Sequence, residues 1–219
     1  MPGYSVVEGK KIFNADVVLE NLNLSGVEFR GCALAQFERP LMTRVRSVAL
    51  KNSKAAGCSI HGVSFDDIVV ENLSFSQPLE FAACTFRHVR LAGKIGSFIT
   101  TPPHYSLSAN VVQAFTDAAV SHYQGVDWAL DISAAEFSDA SIYMVPGNLV
   151  KRDRETQFLL KRSAFEAAAD SLPPAASVYQ ERFSLTPFDS FVAIAPVRSK
   201  YFKVIHEDLM SLRRLGLAE

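Results

Sequence analysis

The sequence predicts a mainly β fold, with a solenoid of short repeated units through residues 17–93 and a mixed α/β region toward the C-terminus. Three observations carry that expectation. Apolar residues recur every five positions across the segment, whereas a helix would repeat at 3.6 residues and a strand at two. The residue two before each repeat centre is also apolar or small, so two side chains per unit can turn inward. Turn formers fill the fifth position, among them Asn21, Gly26, Gly31, Asn52, Gly57, Gly62, Asp67, Asn72 and Gly93. A short fixed repeat of this kind marks a solenoid, whose units bury their apolar faces only against neighbouring units.

The units begin Val17-Val18-Leu19-Glu20-Asn21 and Leu22-Asn23-Leu24-Ser25-Gly26, and they tile the segment with one extra residue at Met42 and one at Pro78. Their centres are Leu19, Leu24, Phe29, Leu34, Arg39, Val45, Leu50, Ala55, Ile60, Phe65, Val70, Phe75, Phe81, Phe86 and Leu91. Only Arg39 is not apolar. A guanidinium on the axis would have no partner, so residues 37–42, with Pro40 among them, are expected to bulge outward as a corner loop. Phe65 and Phe86 should stack one coil apart.

Beyond Gly93 the register fades, and Thr101-Pro102-Pro103 is a break. Residues 106–123 read as an amphipathic helix with Ser108 at its N-cap and a stripe of Val111, Val112, Phe115, Ala118 and Ala119. Quintets return at residues 130–144. The expected organisation is therefore a solenoid over 1–98, a helical excursion over 99–124, a last coil over 125–147 and a mixed α/β region over 148–219. In that last region the charged run 151–155 reads as a solvated turn, and residues 156–160 and 190–195 read as strands. Ser163-x-x-Glu166 fits a capping box opening an Ala-rich helix that Pro173-Pro174 must stop. A final helix spans about 199–215, with Arg213 and Arg214 in its last turn and Gly216 beyond it.

The quintet pattern resembles the pentapeptide-repeat family: a small or apolar residue, a polar one, a Leu or Phe centre, then two polar residues rich in Gly, Asn and Asp. It departs from that pattern where the position before the centre is seldom Asp or Asn and where several small positions carry Leu, Ile or Phe. The resemblance implies a right-handed, four-sided β-helix with about twenty residues per coil, slightly swollen by those larger side chains. Stacking quintets four apart would place Ala33, Ala35, Ala56, Ser74 and Ser76 on one flat outer side whose only charge is Lys54. Such a side is a candidate interaction surface, covered either by the chain's own C-terminal half or by a partner.

Chemistry-bearing motifs are absent from the sequence. No HExxH, paired Cys-x-x-Cys, nucleophile elbow or P-loop occurs, so no catalytic, metal or cofactor site is expected. Cys58-x-x-His61 is half a metal site, but the register points Cys58 inward and His61 outward. Cys32, Cys58 and Cys84 fall on three different sides and are expected to be free thiols rather than disulfides. No signal sequence and no apolar run long enough to span a membrane is visible, which leads to the expectation of a cytoplasmic, bacterial protein.

Three functional classes follow. The first is a non-catalytic protein-binding scaffold that uses the solenoid faces and C-terminal elements. The second is suggested by the resemblance, since some family members mimic B-form DNA and bind type II topoisomerases. That mimicry needs a strongly acidic rod, whereas residues 15–93 hold eight acidic and eight basic side chains and the whole chain has a net charge of −1. The third is an enzyme carried by the C-terminal half. The expected partner is a protein, with no nucleic acid and no membrane. A homodimer is also expected, formed along Phe202, Ile205, Leu209 and Leu212, whose spacing matches a two-helix seam.

Overall fold

Parallel strands build the N-terminal half. A computed structural model describes residues 4–219; residues 1–3 lie outside the described residues. The first strands are β1 (Ser5–Glu8), β2 (Lys11–Phe13), β3 (Val18–Ser25), β4 (Val27–Arg30) and β5 (Ala33–Ala35). Longer ones follow as β6 (Arg44–Ala56), β8 (Ser64–Phe75) and β10 (Thr85–Thr101), with β7 (Ser59–His61) and β9 (Leu79–Ala82) between them. Repeat centres pair with repeat centres: Leu19 with Val45, Val45 with Phe65, and Phe65 with Phe86. Residues with positive φ recur at five-residue intervals, as at Ser47, Asn52, Gly57, Gly62, Asp67 and Asn72, four of them within strands and Gly57 and Gly62 in the breaks between strands, and each turns the chain. The sheet curls as a result.

This architecture overturns the mainly β, right-handed four-sided β-helix that the repeat suggests, and with it the description of the chain as a pentapeptide-repeat solenoid. The strands join in one 14-stranded sheet, curled into a half-barrel and combined with helices as a mixed α/β fold. There are two physical reasons. The long strands, of 13, 12 and 17 residues, run through the expected corners, so the quintets do not separate into discrete flat sides. The C-terminal region then completes the sheet with antiparallel pairs and packs helices on it, which no repeat could announce.

After β10 the chain leaves the sheet as α1 (Ala109–Gln124) and returns as β11 (Leu130–Ile142), which pairs with β10 from Val89↔Leu130 to Thr100↔Ile142. Phe115, Ala119 and Tyr123 form the buried face of α1, and the Tyr123 hydroxyl accepts the Phe86 N–H at 3.2 Å. Ser108 is the N-cap residue, but its carbonyl rather than its hydroxyl receives the first helical N–H groups, from Val111 and Val112. β12 (Val150–Lys151) extends β11, and β13 (Gln157–Lys161) pairs antiparallel with β14 (Ser190–Ile194). The remaining helices are α2 (Arg162–Ala167), α3 (Ser177–Leu185) and α4 (Phe202–Arg214). α2 starts before Ser163, so the Ser163/Glu166 capping box is not formed.

Two apolar cores result. The first lies at the C-terminal end of the curl and holds Phe86, Leu91, Ile95, Leu130, Ile132 and Phe137. The second lies between the β13/β14 pair and its helices, and holds Phe158, Leu160, Phe191, Leu209 and Leu212. Among the described residues, no helix is long and apolar enough to cross a membrane.

Candidate binding site

The interior of the curl is an apolar cavity of about 320 Å³. Its lining runs from Val7, Ile12 and Leu19 at the N-terminal end down to Phe86, Ile95 and Phe98. At depth the Phe65 and Phe86 rings stack at 5.7 Å, and Phe81 lies 4.5 Å from Phe98, which closes that end with aromatic rings.

One column of inward positions crosses the whole cavity wall. Lys11 pairs with Ala33, Ala33 with Ser59, and Ile60 with Phe81. Lys10, Cys32 and Cys58 immediately precede Lys11, Ala33 and Ser59, and Leu79 lies two before Phe81 as Cys58 does before Ile60, so the four stack one above another, and all four line the cavity. The carbonyls of Lys10 and Cys32 accept the next ladder bonds, from Ala33 N–H at 2.9 Å and Ser59 N–H at 3.0 Å. Burial pushes the Cys58 thiol pKa up, and it pushes that of Cys84, fully enclosed elsewhere, to about 12. The three thiols are free.

The expectation that no cysteines stack is thus corrected for Cys32 and Cys58, and the reason is the loop at residues 37–41. That loop does bulge outward, and Arg39 is exposed beside a small polar cleft with Asp16 and Glu38. Its extra residues lengthen the step between paired strands to 26 residues there, against 21 further along. Columns counted as four quintets apart consequently shift across the loop.

The same shift divides the proposed flat surface. Ala56 lies beside Arg30, and Ser74 beside Lys54, which in turn neighbours Glu28. Ser76 follows on that wall and is exposed. Ala33 and Ala35 belong to another wall, next to Ser59 and His61; Ala33 lines the cavity and Ala35 is buried. The structure therefore does not bring the five residues together as one face.

The dimer seam is likewise used within the chain. Leu209 and Leu212 are fully buried in the second core, and Phe202 and Ile205 pack against it.

Outside the cavity, charge is neutralised in ladders. Glu20, Arg46, Asp66 and Arg87 occupy one column, with Arg46–Glu20 at 2.5 Å and Arg87–Asp66 at 3.0 Å, while Lys51 meets Glu71 at 3.2 Å in the next. Two histidines have structural settings. His61 does not line the cavity and is buried against Phe115 of α1: its Nδ1 donates to the Gln36 carbonyl at 2.6 Å, Nε2 accepts the His104 N–H, and burial lowers its pKa. His88 bridges Asp127 through Nε2 at 2.6 Å and Asp67 through Nδ1 at 3.1 Å. No cluster of three or more His, Cys, Asp or Glu suited to a metal occurs among the described residues.

The two ends of the curl differ. At the C-terminal end β11 continues the sheet past β10 and pairs with β12 and β14 in turn, while α1 packs along the flank against His61 and Phe86. At the other end β1, β2 and β3 each pair with one strand only among the described residues, and Val6, Phe13, Val18 and Leu22 are 40–51% exposed. The five-residue period predicts which side chains turn inward, not the cavity between them. Lys10 was the available signal, being the one charged residue at an inward position of that column.

Comparison with protein-family models, with curated proteins and with solved structures found no match.

Proposed function

We propose that the chain is a non-catalytic binding protein that engages a protein partner through the N-terminal end of its curled sheet. The observation that supports this reading is the pairing of unpartnered strand edges with exposed Val6, Phe13, Val18 and Leu22. Such an edge presents a row of free N–H and C=O groups that template another strand, and apolar side chains beside it add contact area. The C-terminal elements are less suited to this role, because their apolar faces are already packed in the second core. The charge ladders weigh against DNA mimicry, which needs uncompensated negative charge along the rod.

A comparison of tagged wild-type protein with the V18K/L22K variant in native lysate tests the proposal. Both side chains are exposed, so the variant should keep its circular dichroism spectrum and melting temperature. The expected outcome is one stoichiometric protein retained by wild type and lost by the variant. A partner retained equally by both, or none retained by wild type, would overturn it.

A further inference from the structure

The cavity has the composition of a site for an unbranched aliphatic chain that ends in an anion. We infer that it binds a medium-chain fatty acid, with the alkyl tail along the axis and the carboxylate at Lys10. This inference goes beyond the protein-partner reading and does not depend on it, since it concerns the isolated chain.

Shape supports the tail. The lining extends through successive strands, from Ile12 and Leu19 past Leu50 and Val70 to Phe86, so the space follows the axis rather than forming a side pocket. A volume of about 320 Å³ lies at the lower end of the range for small-ligand cavities and equals roughly ten water volumes, enough for a chain of about ten carbons. Aromatic rings close the deep end, so a tail must enter from the N-terminal side.

Charge supports the head group. Lys10 is the only charged residue in the lining. It occupies a position that lower levels of its column fill with Cys32, Cys58 and Leu79, and its level is the outermost. Among the described residues its ammonium makes no salt bridge, while Arg30, Arg46 and Lys51 on the outside of the sheet are each paired with a carboxylate; Lys11 and Lys54 also lack one. A flexible lysine stem can follow an apolar wall and keep its ammonium at the rim, where an incoming carboxylate would meet it.

Cys32 and Cys58 provide a direct readout, because a tail in the cavity must pass them. Decanoate, below its micellar concentration, should bind the purified chain 1:1 by calorimetry and slow alkylation of both thiols by N-ethylmaleimide, followed by mass spectrometry. Affinity should rise about fourfold for each methylene added from hexanoate onward and level off near ten carbons, when the cavity is full. Lys10→Gln, at an exposed site, should weaken decanoate by about fivefold and leave decanol unchanged. Ile12→Trp, which narrows the mouth, should weaken both. Absence of decanoate binding would overturn the inference, as would thiols alkylated equally fast with ligand present. Equal loss of decanoate and decanol in the Lys10 variant would overturn the assignment of the carboxylate.

Discussion

At the N-terminal end of the curled sheet the inward side chains Leu19, Leu24 and Phe29 are only partly buried, while toward the other end Phe86, Ile132 and Phe137 are 0–1% exposed. All six hold equivalent places in the five-residue repeat. The difference is what lies beyond them: α1, β12 and the β13/β14 pair pack against the second group through Tyr123, Val150, Leu159 and Val192, and among the described residues nothing comparable covers the first. An inward position in a repeat fixes direction, and burial depends on the next layer.

The sharpest way to break this comparison is to truncate one side chain from each end. Phe86→Ala should cost about 3–5 kcal/mol, because its buried ring packs against Phe65, Phe81 and Phe98 at the closed end of the cavity. Leu19→Ala should cost about 1 kcal/mol, since its wall already faces open space. Urea unfolding followed by circular dichroism measures both, and equal losses would mean that the two ends are equally closed. Phe65→Ala combined with Phe86→Ala should depart from additivity, because the rings touch.

Gly147 tests how tightly the closed end is packed. A Cβ there would lie 2.5 Å from Leu159 Cδ1 and 2.8 Å from the Phe191 carbonyl carbon, and backbone cannot step aside as a side-chain tip can. Gly147→Ala should therefore lose about 1–3 kcal/mol in the same titration. A neutral result would show slack where the structure leaves none.

The smallest effect concerns the joint between β10 and the segment leading into β11. The hydrogen bond from His88 to Asp127, helped by Asp67, holds the imidazole pKa above its ordinary range. A raised folded-state value means that the stabilisation is fully present below about pH 6.5, the unfolded value, and is lost as pH rises through the folded one. His88 has a φ of 54°, a conformation Asn tolerates, so His88→Asn removes the ring without a new backbone cost. Wild type should melt about 1–2 °C above the variant at pH 5.5, with the margin closing by pH 9. A margin that grows with pH would reverse the assigned charge state.

The inward pattern was legible because it needs only the local period: Leu24, Leu50, Val70 and Leu91 do stack in one ladder. Which columns meet was not legible across residues 37–41, since one looped-out quintet shifts every pair that spans it without disturbing the period. That slip hid the Lys10–Cys32–Cys58 wall and produced a flat surface that does not exist. Amphipathic stripes have a related limit. Phe202, Ile205, Leu209 and Leu212 indicated that one face of α4 is covered, but the spacing is the same whether the cover is a second chain or β13 and β14. Helix α3 was missed because Val178, Tyr179, Phe183 and Leu185 do not fall on one stripe, although Tyr179 and Phe183 are buried.

The excursion through α1 has a consequence for how freely the chain can vary in length. Residues paired between β8 and β10 are 21 apart in sequence, and those paired between β10 and β11 are 41 apart. Loop-closure entropy grows only logarithmically, so doubling the span costs roughly 0.6 kcal/mol, less than one well-packed side chain contributes. It follows that the sheet tolerates a detour of almost any length at this point, provided the returning strand meets β10 in register. Length can be gained or lost here cheaply, while a one-residue slip in β11 would turn Leu130, Ile132 and Phe137 away from the core.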